Sequence, residues 1–164
     1  GSYNLDNVLA AITVGLHFGV TADQVCHAIE NYEPTNNRSE LVKTGSNTLI
    51  VDAYNANPTS MAAALDSFGQ IATQLPKMAI LGDMRELGEV SEAEHQKVVD
   101  TLKAKGLNDV WLVGEEFGKT RCDFHKYNNV EEVKQAIASY KPCGKCILIK
   151  GSNGTKLFEL PELL

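Results

Sequence analysis

The chain has 164 residues, 43% of them apolar, and carries 15 Lys and Arg against 21 Asp and Glu for a formal charge of −6. That length suits one domain with a proper core and little more. The acidic balance argues against a nucleic-acid module, no apolar run reaches the length of a membrane span, and the first residues show no basic-then-apolar signal peptide. Four cysteines in a chain of this size fit free thiols in a reducing, cytoplasmic compartment.

In chain order, residues 4–18 read as a helix with Leu5, Val8, Leu9, Ile12 and Leu16 on one face, ended by Gly19. Thr21 and Gln24 form a capping-box pair opening a second helix through Val25, Ala28, Ile29 and Tyr32. Residues 33–37, polar and containing Pro34, read as a linker. Two β-prone segments, 40–43 and 47–52, flank Thr44-Gly45-Ser46 and predict a hairpin. Asn57 suits an N-cap and Pro58 the first helical position of a third helix, whose apolar positions run from Met61 to Leu75. Strands are expected at 78–81, 110–113 and 146–149, with a brief extended stretch at 124–127. A helix opened by a Ser91/Glu94 capping box, a short helix or turn after Gly114, a helix over 130–140 and a last short helix from about Thr155 complete the reading.

Strands about thirty residues apart with helices between them predict crossover units. The expected fold is α/β: a Rossmann-like, mainly parallel sheet flanked by helices, with an antiparallel edge strand from the hairpin. Residues 1–33 lack a strand partner and are expected to be the helical tail of a preceding domain; residues 34–164 form the α/β domain. Asp52, Asp83, Gly114 and Lys150 all fall at strand carboxyl ends, so they should share one rim, where open α/β sheets bind ligands. Asp52 there could accept hydrogen bonds from a ligand diol such as a ribose, or Asp52 and Asn55 could merely satisfy turn amides.

Two segments imitate other chemistry. Gly114-Glu-Glu-Phe-Gly-Lys-Thr120 has three residues between its glycines where a phosphate loop needs four, and its glutamates would repel phosphate. Cys122, His125, Cys143 and Cys146 have zinc-ribbon-like spacing, but Cys146 opens a predicted core strand. No metal site is expected.

Asp52-Ala-Tyr-Asn-Ala-Asn-Pro-Thr-Ser-Met61, Leu81-Gly-Asp-Met-Arg-Glu-Leu-Gly88 followed by His95, and Ile149-Lys-Gly-Ser152 occur in that order. Together they resemble the C-terminal domain of the Mur ligases. Gly1-Ser-Tyr-Asn-Leu-Asp-Asn7 resembles the segment that closes the family's central ATPase domain, with Tyr3 where the family usually has histidine. The resemblance implies an ATP-dependent acid–amino-acid ligase of peptidoglycan precursor synthesis, working through an acyl phosphate. The Gly-Asp-Met-x-Glu-Leu-Gly segment favours the branch adding D-alanyl-D-alanine to a UDP-N-acetylmuramoyl-tripeptide over those adding one amino acid.

By the same resemblance, Asp52 takes the ATP ribose hydroxyls, and Tyr54, Asn55 and Asn57 shape the nucleotide-facing turn. Arg38 reaches the nucleotide phosphates, and Asn4 and Asn7 lie near the adenine. Lys150, Gly151 and Ser152 face the incoming substrate, Lys150 holding its carboxylate. Asp83, Glu86 and His95 close the same side, although His95, beside Val98, Val99 and Leu102, also reads as a structural histidine. The phosphate loop and Mg2+ ligands belong to missing upstream domains of the same chain. This part alone is therefore expected to hold no catalytic residue and to be inactive. The competing readings are a stand-alone α/β nucleotide- or anion-binding module and a zinc-stabilised interaction domain.

Overall fold

The computed structural model describes residues 4–32 and 38–164. Tyr3 and the expected linker at 33–37 lie outside the described residues, as does the boundary between the two expected units. Helices α1 (Leu5–His17) and α2 (Ala22–Glu30) pack on each other. The chain passes between them through Gly19 at φ +83°, where a β-carbon would be strained. The capping box at α2 is formed as expected: the Thr21 side chain accepts from the Gln24 N–H and the Gln24 side chain accepts from the Thr21 N–H.

The rest is a six-stranded sheet in the order β1-β2-β6-β3-β4-β5. Strands β1 (Glu40–Lys43) and β2 (Thr48–Asp52) form the expected antiparallel hairpin. Strands β3 (Lys77–Gly82), β4 (Val110–Val113), β5 (His125–Tyr127) and β6 (Cys146–Lys150) continue from β2 in parallel. The last strand in sequence inserts between β2 and β3, so it is covered on both edges and all five of its residues are buried. Crossovers α3 (Pro58–Gln70) and α4 (Ser91–Ala104) cover one face with the short α5 (Glu115–Gly118). Helix α6 (Val130–Ser139) and the C-terminal turns cover the other.

Strand parity builds the two cores. Ala79, Leu81, Val110, Leu112, Cys146 and Leu148 pack with Met61, Leu65, Phe68, Val99 and Leu102. The intervening Met78, Ile80, Trp111, Val113, Ile147 and Ile149 pack with Val133, Ile137, Leu157 and Leu160. A strand buried on both faces reads as a continuous apolar run, as these do.

Three local expectations are corrected. Helix α3 stops at Gln70, and Ile71 and Leu75, placed by periodicity on its apolar face, are partly exposed in the following turn. The Ser91/Glu94 box is not formed: α4 is capped by Val90 without a side-chain bond, and the Ser91 hydroxyl donates to Glu116 Oε2 instead. The terminal helix is three successive 3₁₀ turns over 153–163, the first two separated by Lys156 in the left-handed region.

Candidate functional site

The parallel register sets Asp52 opposite Lys150 at the carboxyl ends of β2 and β6. Lys150 Nζ lies 2.5 Å from Asp52 Oδ2 and donates to the Asn55 carbonyl at 3.2 Å. The Lys150 side chain is fully buried, whereas that of Asp52 is 15% exposed. Asp52 Oδ1 makes no hydrogen bond to a described residue and stays available to accept one. Lys150 was expected to hold a substrate carboxylate. With no exposed surface and its ammonium already paired, it instead ties the end of β6 to the β2–α3 turn.

That turn is built from its own side chains. Asn55 Oδ1 accepts from the Ala56 N–H at 2.9 Å. Asn57 caps α3, accepting from the Ser60 N–H at 2.8 Å while the Ser60 hydroxyl oxygen accepts from the Asn57 N–H. The amide groups of Asn55 and Asn57 thus organise the turn. Tyr54 projects from it, 47% exposed, with the Arg38 guanidinium stacked 4.0 Å from its ring centre. An exposed ring backed by a guanidinium is a stacking and anion-attracting surface beside Asp52.

The second part of the rim follows β3. Gly82 and Gly151 meet so closely that a β-carbon on Gly151 would lie 2.7 Å from Thr155 Oγ1 and 3.0 Å from Gly82 Cα. Ser152 is buried; its N–H donates to the Asp83 carbonyl and its hydroxyl oxygen accepts from the Arg85 N–H at 3.1 Å. Gly151 and Ser152 therefore lock the two strand ends together.

Asp83 and His95, expected to face the substrate, have their polar atoms engaged inside the protein. Asp83 Oδ2 and Oδ1 accept from the N–H groups of Glu116 and Phe117 at 3.0 and 2.9 Å. This caps α5 from across the sheet, and it fills the helix start that would otherwise attract an anion. Gly114, at φ +122°, leaves the space for that carboxylate: a β-carbon there would sit 2.2 Å from Asp83 Oδ2. The phosphate-loop imitation is thus occupied by the protein's own carboxylate.

His95 is fully buried. Its Nε2 accepts from the Met84 N–H at 3.0 Å, and its Nδ1 lies 2.7 Å from the Ser91 carbonyl. Those partners require the neutral ring with the proton on Nδ1. Its edge packs against the Phe117 ring. The structural reading of His95 is the one the contacts describe.

A cavity of ≈ 950 Å³ opens beside these loops, lined by Asp83, Arg85, Glu86, Glu116, Lys119 and Lys156 among others. Glu86 stands exposed on its wall at φ +65°. Glu116 is held below the ordinary carboxyl range, first by its bond with Lys119 and then by that from Ser91. Arg85, Lys119 and Lys156 were not singled out in the sequence: the first occupies the variable position of its motif, and the others follow a loop and a turn. Asn4 and Asn7 sit at the start of α1, where Asn7 Nδ2 donates to Asn4 Oδ1 at 3.3 Å. Among the described residues they make no hydrogen bond with the rim.

Cys26, Cys122, Cys143 and Cys146 are free thiols. Cys146 is buried, and that burial raises its thiol above the ordinary range, which opposes a metal-binding thiolate. Among the described residues no three His, Cys, Asp or Glu side chains are grouped to hold a metal ion.

The architecture is that of an open α/β domain with its polar groups gathered at the sheet's carboxyl edge, the edge at which such sheets bind ligands. Residues 37–153 match the family described as Mur ligase, glutamate ligase domain, and the chain belongs to that family. It is 33% identical to the UDP-N-acetylmuramoyl-tripeptide–D-alanyl-D-alanine ligase of Bacillus subtilis, covering 98% of this chain and 37% of that protein. With the enzyme of the same name from Escherichia coli the identity is 34%, over 100% of this chain and 37% of the relative. A crystal structure of MurF from Acinetobacter baumannii superposes with a TM-score of 0.81 at 27% identity, over 99% of this chain and 38% of that one. The Thermotoga maritima MurF ligase, crystallised with ADP, shares the fold at a TM-score of 0.78 and 21% identity, over 97% of this chain and 37% of that one. The chain thus spans a little over a third of the length of the curated relatives it matches.

Proposed function

We propose that this chain is the closing domain of an ATP-dependent amide ligase that joins D-alanyl-D-alanine to a UDP-N-acetylmuramoyl-tripeptide. The observation that carries this is the rim: Asp52 and the Arg38–Tyr54 stack stand at one end, and the mixed-charge cavity lies beside the neighbouring β3–β6 loops. Similarity along 98–100% of this chain to relatives bearing that name, of which it covers 37%, supports it. In this reading ATP phosphorylates the tripeptide carboxylate, the dipeptide amine attacks the acyl phosphate, and phosphate leaves. The domain's contribution is positioning and exclusion of water from a hydrolysable intermediate.

Residue roles follow the geometry. Asp52 Oδ1 accepts from a ribose hydroxyl, with Lys150 holding the carboxylate in place. Tyr54 and Arg38 flank the nucleotide, the guanidinium approaching phosphate on closure. Asn55 and Asn57 act through the shape of the turn. Glu86 borders the dipeptide side, while Asp83, His95, Gly151 and Ser152 are positioning residues that fix its loops. Residues 1–33 are the helical tail of the central ATPase domain, with Asn4 and Asn7 towards the adenine. That domain would also supply the Mg2+ ligands and the phosphate loop. A cytoplasmic location follows from those substrates.

The test is a ligation assay on the protein with its upstream domains, supplied with ATP, Mg2+, the UDP-tripeptide and D-alanyl-D-alanine. Dipeptide incorporation matched by ADP and phosphate release is expected. Tyr54→Ala and Arg38→Ala should each raise the KM for ATP about threefold to tenfold, as loss of a partly exposed stacking contact does. Failure to ligate the dipeptide while a single amino acid is accepted would overturn the substrate assignment.

A further inference from the structure

Resting on the reading above, we infer that Arg85 is a substrate-binding residue that receives the carboxylate of the incoming dipeptide. The deduction begins from the cations at the sheet's carboxyl edge, of which Arg85, Lys119 and Lys156 line the cavity. Lys150 is buried and paired with Asp52, and so is withdrawn from substrate. Lys119 is paired with Glu116 at 2.5 Å. Lys156 is exposed in a turn between two 3₁₀ segments, and its ammonium makes no hydrogen bond among the described residues.

Arg85 alone is both held and open. Its backbone is pinned by two successive bonds: the preceding Met84 is buried and donates its N–H to His95, and the Arg85 N–H donates to Ser152 Oγ. Its guanidinium lies across Gly154, so close that a β-carbon there would meet Cζ at 2.3 Å. Nη2 reaches the Gly154 carbonyl at 3.4 Å. The fork is thereby laid on the cavity wall with its remaining N–H groups unbonded among the described residues, the arrangement a carboxylate engages through two parallel hydrogen bonds.

The charges around it select the ligand. Glu86, Glu115 and Glu131 also line the cavity. A polyphosphate would be repelled by that acidic surround, whereas a zwitterion presents an ammonium to the carboxylates and a carboxylate to the arginine. A free dipeptide is such a zwitterion. The nucleotide has its own end of the rim, at Asp52 and Tyr54.

The experiment uses the ligase with its upstream domains and compares D-alanyl-D-alanine with D-alanyl-D-alaninamide, which lacks the negative charge. Arg85→Gln should raise the KM for the acid by about tenfold or more, the loss expected of a charge-assisted bidentate contact. The KM for ATP should stay within about twofold, and the preference for acid over amide should collapse. Arg85→Lys should recover part of that preference. Gly154→Ala displaces only the far end of a flexible side chain, and should shift the acid KM in the same direction with the fold intact. An unchanged acid KM in Arg85→Gln, or equal losses for acid and amide, would overturn the inference. A rise confined to the KM for ATP would also overturn it, by placing the guanidinium on the nucleotide phosphates. A wild-type enzyme that does not ligate the dipeptide would instead overturn the functional reading on which the inference rests.

Discussion

Asp52 and Lys150 are register partners on adjacent parallel strands, and the only partners of the buried ammonium among the described residues are the Asp52 carboxylate and the Asn55 carbonyl. The pair is asymmetric. Asp52 keeps one edge towards solvent, whereas Lys150 has none. Removing either member therefore has different consequences.

Asp52→Asn leaves a buried, unpaired ammonium, and should destabilise the fold by about 3–5 kcal/mol in urea unfolding. Lys150→Met leaves a carboxylate that can still reach water, and should cost less. Combining the two should restore most of the loss, because no buried charge remains. Wild-type stability in Asp52→Asn alone would contradict this account. Any activity loss in an Asp52 variant must accordingly be read against its unfolding midpoint.

His95 holds the Gly-Asp-Met loop through the Met84 N–H. His95→Phe fills the space but leaves the buried Met84 N–H without its acceptor. An unsatisfied buried group costs about 1–3 kcal/mol, so a melting temperature lower by several degrees is expected. Arg85 would lose one of the two bonds that fix its backbone in the same variant. Thermal unfolding followed by circular dichroism measures the first effect; an unshifted melting temperature would mean that the ring is not what holds the loop.

Gly151→Ala should be destabilising by about 1–3 kcal/mol, the usual range for forcing an extra carbon into a packed site, because Gly82 backbone as well as Thr155 stands in its way. Gly45→Ala meets nothing within 4 Å and serves as the comparison. Equal denaturation midpoints for the two would show that the β3 and β6 ends can separate freely.

Glu116 supplies a pH dependence whose sign is fixed by geometry. Lys119 and then Ser91 favour its charged form, so its folded-state value lies below the ordinary carboxyl value. That contribution is present above the ordinary value and is lost as pH falls through the depressed one. Glu116→Gln should therefore lower the melting temperature at neutral pH and make little difference in strong acid. A gap of the same size at both ends would assign the effect to packing. The side chain is partly exposed, so the difference at neutral pH should be small.

Much of the architecture was legible in the residues. Apolar runs at Leu49–Val51, Ala79–Leu81 and Ile147–Ile149, punctuated by Asp52, Asp83 and Lys150, gave the strands and put their polar ends on one rim. The Asn57-Pro58 start and the Thr21/Gln24 box are local devices, and local devices survive in the fold. The Ser91/Glu94 box did not, because the 3₁₀ turn at Gly88–Val90 runs straight into α4 and leaves Ser91 helical at φ −53°, ψ −53°, inside the helix and not at its N-cap. Periodicity carried α3 too far because Ile71 and Leu75 continue its spacing after the helix has ended.

Side-chain assignments divide the same way. The sequence by itself determined which residues lie at strand ends, since alternation, caps and turn chemistry act within a few residues. Only the tertiary structure decided what those residues touch. Asp83 caps a helix more than thirty residues away, Lys150 is sealed against Asp52, and Arg85 lies open on Gly154. The physical reason is that a charge is directed by desolvation and by partners in space. Those are fixed by the strand order, which places β6, last in sequence, between β2 and β3, and the β3 and β4 ends side by side.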